Sequence, residues 1–168
     1  FVSGSAPLLA ETHREWRERK DCPGEMIQMD GSNHAWFEGR AGKCVLLASI
    51  DDATSRIFLR FTEHEDTRNL MRFSRIYINK FGKPMSFYVD NDSIYVTNRQ
   101  PNLEEELQGR SYALTQFTRA MEVDLDVKVL NAGSPQAKGR VERLFQTLQD
   151  RLPAEVATTL RAQGFTSK

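Results

Sequence analysis

Cysteine and histidine are too few here to organise a site. Cys22 and Cys44 form no C-x-x-C pair and have no matching histidine pattern, so no structural zinc is expected and nothing demands disulfides. The three histidines, His13, His34 and His64, show no spacing that would build a nucleophile triad. No apolar run approaches the roughly 20 residues of a membrane-spanning helix, so no membrane partner is expected. The start, F-V-S-G-S-A-P, lacks the basic region and apolar core of a secretory signal, which leaves the cytoplasm as the expected compartment. It also lacks a Met, and the chain reads as an excised fragment. An excess of one charge is missing as well: 23 basic and 23 acidic residues cancel. A strong standalone nucleic-acid binder is expected to be basic, so any DNA contact here must be local.

What is present is enough for one soluble globular domain, with 168 residues, 39% of them apolar and 27% charged. Residues 1–22 read as a tail or linker, loop formers followed by the charged run T-H-R-E-W-R-E-R-K. His13 and Trp16 fall in it, where residues rarely organise a site alone. Cys22-Pro23-Gly24 then breaks the chain.

Three strands follow at short intervals, Glu25 to Asp30, Lys43 to Asp51 and Arg56 to Thr62, which predicts an antiparallel meander. The second is apolar enough to be covered on both faces. Asp51 and Asp52 are read as shaping the hairpin turn, and His34 and Trp36 as packing on the meander. The period then becomes helical. Asp66 is a candidate N-cap, Leu70, Phe73, Tyr77 and Phe81 share a face, and Gly82 and Pro84 stop the helix. Met85 to Val89 is a fourth strand ending on Asp90.

Residues 91–110 keep neither period and read as a polar loop or lid, with Glu104-Glu105-Glu106 as a solvated face. Leu114, Phe117, Ala120 and Met121 mark a short helix, and Val127 to Leu130 a fifth strand. The helix Ser134 to Leu152 opens on Ser134 as N-cap with Pro135 at its first position. Its stripe is Val141, Leu144, Phe145, Leu148 and Leu152. Glu142 lies on the border of that stripe, with Lys138, Arg140 and Arg143 around it. Ala154 to Gln163 reads as one more helix. The sum is an α/β architecture with a mixed sheet.

Three acids are marked by position. Asp30 closes the first strand, Asp90 closes the fourth, and Glu142 lies one turn into the helix after the fifth. If the first and fourth strands are parallel neighbours, Asp30 and Asp90 meet at one sheet edge, where α/β sites gather. Three packed carboxylates repel one another and would partly protonate. Divalent cations remove that cost, and hard oxygen ligands suit Mg²⁺ or Mn²⁺. Two such ions about 3.5–4 Å apart clamp an in-line phosphoryl displacement.

From Gly24 to Leu152 the chain resembles the integrase core of DDE transposases and retroviral integrases. The match is carried by I-Q-M-D-G-S with W-F-E-G-R-A-G, by L-L-A-S-I-D-D-A-T-S-R-I, and by S-P-Q-A-K-G-R-V-E-R-L-F-Q-T-L-Q-D-R-L. The middle segment is typical of bacterial insertion-sequence transposases. The last, a serine followed by P-Q-x-x-G-x-V-E, is the most specific. The resemblance implies a ribonuclease H-like fold with a five-stranded mixed sheet, an antiparallel three-stranded meander plus parallel strands, flanked by helices.

It implies a catalytic core over 23–152 with an insertion at 91–110, a C-terminal helical extension over 153–168, and a 1–22 linker from a DNA-binding region upstream. It makes Asp30, Asp90 and Glu142 the catalytic and metal-binding acids of a two-metal Mg²⁺ or Mn²⁺ site. Lys138, Arg140, Gln136 and Arg143 become DNA-binding. The implied partners are DNA, as transposon ends and target, and further copies of the protein, at least a dimer. The implied place is bacterial cytoplasm at the nucleoid. The competing expectations are a ribonuclease H-like nuclease without strand transfer and a repurposed transposase that only binds DNA or a partner. The chain departs from the pattern in the long 91–110 segment, in Asn91-Asp92 after Asp90, and in Ala35 after His34.

Overall fold

The structure is a computed structural model that describes residues 18–37, 40–132 and 138–164. Five strands form one sheet in the order β3-β2-β1-β4-β5. They are β1 (Ile27–His34), β2 (Cys44–Asp51), β3 (Ile57–Thr62), β4 (Ser86–Val89) and β5 (Lys128–Asn131). β1, β2 and β3 pair antiparallel, and β4 and β5 continue from β1 as parallel strands.

β2 is buried on both faces, as its apolar run suggests, and its residues alternate between two cores. Val45 and Leu47 join Ile27, Met29, Phe87 and Val89 on one face, covered by Leu70, Phe73 and Tyr77 of α1 (Thr67–Phe81). Phe117 of α3 (Gln116–Arg119) and Met121 of the π-helical turn Ala120–Asp124 pack into the same core. On the other face Leu46, Ala48 and Ile50 meet Trp36 and then Val141 and Phe145 of α4 (Gly139–Ala162). The sheet is thus a middle layer, with helices on both sides of β1.

The caps behave as the sequence suggests at α1. The Asp66 side chain accepts from the Asn69 N–H at 2.7 Å, and Gly82, at φ 92°, closes the helix in a conformation that side chains disfavour.

Three expectations change. β1 does not end at Asp30: it runs on to His34 against β2, because that pairing outlasts its pairing with β4. The acidic triplet is a solvated face only at Glu104 and Glu106. It forms α2 (Leu103–Leu107), in which buried Glu105 closes a capping box with Asn102 and accepts from the Leu114 N–H and from Arg99. These donors hold its carboxyl down at about 2, the Leu114 N–H contributing most and Arg99 next. Finally, Pro153 does not divide two helices. α4 passes through it, because the apolar stripe continues from Leu148 and Leu152 to Val156 and Leu160 and outweighs one missing N–H donor.

Candidate active site

β1 and β4 are parallel neighbours, with Ile27 opposite Phe87 and Gln28 opposite Tyr88. That register carried two residues further puts Asp30 beside Asp90, where the pairing has ended and the strands part. Asp30 has the parity of Gln28, opposite to Ile27 and Met29 of the α1 core, so it faces the α4 side.

α4 brings a cation to meet it. The Lys138 ammonium lies 3.0 Å from Asp30 Oδ1 and 3.7 Å from Asp90 Oδ2. Lys138 is the N-cap of α4 and only 6% exposed. Two neighbouring carboxylates at a partly desolvated edge need a counter-charge, and a long side chain leading into the docked helix supplies it. Burial nevertheless pushes the Asp30 carboxyl up, with the Lys138 charge opposing and Asp90 adding to the rise. Asp30 Oδ1 also accepts the Gly31 N–H at 3.1 Å, and Asp90 Oδ1 the Asp92 N–H at 3.2 Å.

Glu142 stands four residues after Lys138, and residues so spaced share a helix face. It is exposed rather than on the border of the buried stripe, and among the described residues no hydrogen bond or ion pair joins it to Asp30 or Asp90. No group of three or more His, Cys, Asp or Glu side chains stands close enough to hold one ion among the described residues. The structure therefore joins two of the three expected acids and leaves the third one turn away.

The expected DNA contacts divide. Lys138 is turned inward. Arg140 is occupied elsewhere, donating to the Asp52 carbonyl at 2.6 Å, Asp52 Oδ1 at 3.0 Å and Ser55 Oγ at 2.6 Å. Asp52, 0% exposed, also takes the Gln28 amide and the Lys20 N–H. Asp51 accepts the Ala53 and Thr54 N–H groups, so the pair both shapes the hairpin turn and pins α4 to it. Arg143 remains at the surface, its Nε donating to the Gly139 carbonyl. Gln136, with Ser134 and Pro135, lies outside the described residues, as do His13 and Trp16. Further along α4, Gln149 donates to Ser32 Oγ at 3.0 Å.

Two residues absent from the sequence reading enter the site from the α1 side. Gly31 has the parity of that face, and a Cβ there would collide with the Glu65 carboxyl group. Burial, then the charges of Asp30, Asp90 and Asp92, push that carboxyl up to about 7, with Lys138 opposing. Tyr95 is buried, and among the described residues its hydroxyl has no hydrogen-bond partner. The signals were slight: a glycine directly after Asp30, and an acid directly before a helix N-cap.

No protein-family model matches the chain. It is 40% identical over 142 residues to y4bF of Sinorhizobium fredii (strain NBRC 101917 / NGR234), assigned as a transposase, a match over 84% of this chain and 30% of that protein. It is 37% identical over 142 residues to the transposase for insertion sequence IS1202 of Streptococcus pneumoniae, covering 83% and 29%. The chain thus spans about a third of the length of these relatives. Its fold matches a chain of the simian T-cell lymphotropic virus intasome, solved with the PP2A regulatory subunit B56 gamma, at TM-score 0.60 and 16% identity, over 84% of this chain and 47% of that one. Over the matched 142 residues the chain is similar to these transposases, and its mixed sheet between helices has a ribonuclease H-like fold.

Proposed function

We propose that this chain is a transposase and integrase core, the catalytic part of a DDE-type enzyme that cuts DNA phosphodiesters and transfers the freed strand by in-line attack. The observation that carries the reading is the pair of carboxylates in register across parallel β1 and β4, with a positive charge seated between them. The donor set fits a hard divalent cation: two carboxylates from a rigid sheet edge, and an ammonium where such a cation would be drawn.

Asp30, Asp90 and Glu142 are the residues that would hold Mg²⁺ or Mn²⁺. A two-metal site there would supply stabilisation of the negative charge that develops in an in-line phosphoryl displacement. Asp30 and Asp90 provide the fixed part of the site, because the sheet sets their separation. Glu142 completes it from α4, whose position is fixed by Val141 and Phe145 in the core and by the Arg140 clamp on Asp52. Lys138 balances the aspartates, and would be free to meet DNA phosphates where a cation took over that role. Arg143 is already at the surface to meet the DNA backbone, and Gln136 is proposed to bind DNA near the start of the same helix. The domain organisation proposed is a core over 23–152 served by DNA-recognition parts elsewhere in the protein. Two transposon ends must be joined, so the working form is proposed to be at least a dimer, acting at the bacterial nucleoid.

The test is metal-dependent nicking and strand transfer by the full-length protein on its own element's ends. Loss of both in Asp30→Asn and in Glu142→Gln is expected; retained activity in either overturns the assignment. One observation favours a second reading, a module that only binds DNA or a partner: Glu142 stays exposed while Lys138 fills the space between the aspartates. Calorimetry without Mn²⁺ binding would favour it.

A further inference from the structure

The edge that carries Asp30 and Asp90 has an inner wall, on the side away from α4. The Glu65 carboxyl group occupies the space that a side chain at Gly31 would fill, and it arrives from the loop just ahead of the Asp66 cap of α1. Glycine directly after Asp30 is what lets this carboxyl reach the β1 backbone.

Tyr95 stands behind it. It is 4% exposed, and its ring is set edge-on against Phe117 at 5.3 Å between centroids. Its carbonyl accepts the Thr118 hydroxyl at 2.9 Å, which fixes the backbone. Burial first, and then the charges of Glu65, Asp90, Asp30 and Asp92, hold the hydroxyl in its protonated form, so the acid cluster is near enough to act on it. Among the described residues no group pairs with it. A buried hydroxyl left unpaired by the protein is costly, and a bound water or ion is one way a fold satisfies it.

We propose that Glu65 and Tyr95 are positioning residues for a divalent cation held by Asp30 and Asp90, the Glu65 carboxylate and the Tyr95 hydroxyl oxygen both accepting from the water around that ion. The inference rests on the reading of Asp30 and Asp90 as cation ligands. Glu65 acts through water because no three acids are close enough to share one ion among the described residues. Mg²⁺ gives up its water reluctantly and keeps several molecules, so the groups that hold them set how well the ion is seated. Water bound to a cation turns its hydrogens outward, and both a carboxylate and a phenol oxygen can accept them.

Calorimetric titration with Mn²⁺ tests this in the wild type and in the Glu65→Gln, Tyr95→Phe and Asp30→Asn variants. Loss of a group of this kind costs about 10–100-fold in metal affinity, so roughly tenfold weaker binding is expected for Glu65→Gln and a smaller loss for Tyr95→Phe. Both variants should melt no lower than the wild type without Mn²⁺, which separates a metal effect from a folding defect. Electron-nuclear double resonance on bound Mn²⁺ should show altered exchangeable-proton couplings in both. Unchanged Mn²⁺ affinity in Glu65→Gln and Tyr95→Phe, with binding lost in Asp30→Asn, overturns this inference alone. Unchanged affinity in Asp30→Asn as well overturns the cation reading, and this inference with it.

Discussion

Replacing Lys138 by methionine keeps the stem and removes the charge, which isolates the balancing role of the ammonium. At 3.0 and 3.7 Å the two ion pairs are worth about 5.5 and 4.5 kcal/mol before desolvation, at the effective dielectric of about 20 that suits protein sites. Burying the ammonium costs several kcal/mol in return, and breaking a buried pair typically costs about 3–5 kcal/mol. The Asp90 side chain is 47% exposed, so water screens its share and the loss falls to about 2–3 kcal/mol. For a domain of this size that is about 4–12 °C in melting temperature. The assay is thermal or urea unfolding with and without Mn²⁺. Mn²⁺ at one hundred times its dissociation constant adds about 2.7 kcal/mol. The gain should be larger in Lys138→Met, because the wild type must first displace its own ammonium. A variant as stable as the wild type without metal, or one that gains no more from Mn²⁺, would refute the reasoning.

Three further outcomes follow from contacts around the site. Arg140→Ala leaves the buried Asp52 carboxylate with its remaining partners, the Gln28 amide and the Lys20 N–H among them, and should cost about 3 kcal/mol in urea unfolding. Gly31→Ala forces the Glu65 carboxyl out of its place over β1 and should weaken Mn²⁺ binding in calorimetry as Glu65→Gln does. Glu105→Gln should lower the melting temperature at pH 6. The wild-type carboxyl is held at about 2 against an ordinary 4.5, so its contribution is complete above about 4.5 and fades as pH falls toward 2. The difference between the two proteins should therefore vanish toward pH 2.

The meander, the α1 stripe with its Asp66 cap and the placement of Asp90 could be read along the chain, because local periodicity and capping determine them. The pairing of β1 with β4 was legible only as a condition, since register is a tertiary property. Asp30 illustrates the difference. It closes an apolar run in sequence, yet it lies inside β1, at the end of one pairing and the middle of another. Charge runs misled for the same reason. Glu105 reads as a solvated acid until Leu114 and Arg99 come back to it from later in the chain and from the preceding loop. Nor does a linear sequence show the carboxylates that fold in beside Lys138 and Arg140, Asp30 and Asp90 for the first and Asp52 for the second. Glu65 was invisible as a site residue, since its approach depends on a missing Cβ at Gly31, more than thirty positions earlier.

Anomalous diffraction from crystals of the protein soaked in Mn²⁺ measures the central claim most directly. The account predicts a peak between the Asp30 and Asp90 carboxylates, with Glu142 turned in to complete the site and the Lys138 ammonium displaced. No peak there at saturating Mn²⁺, with Lys138 still paired to both aspartates, would contradict it.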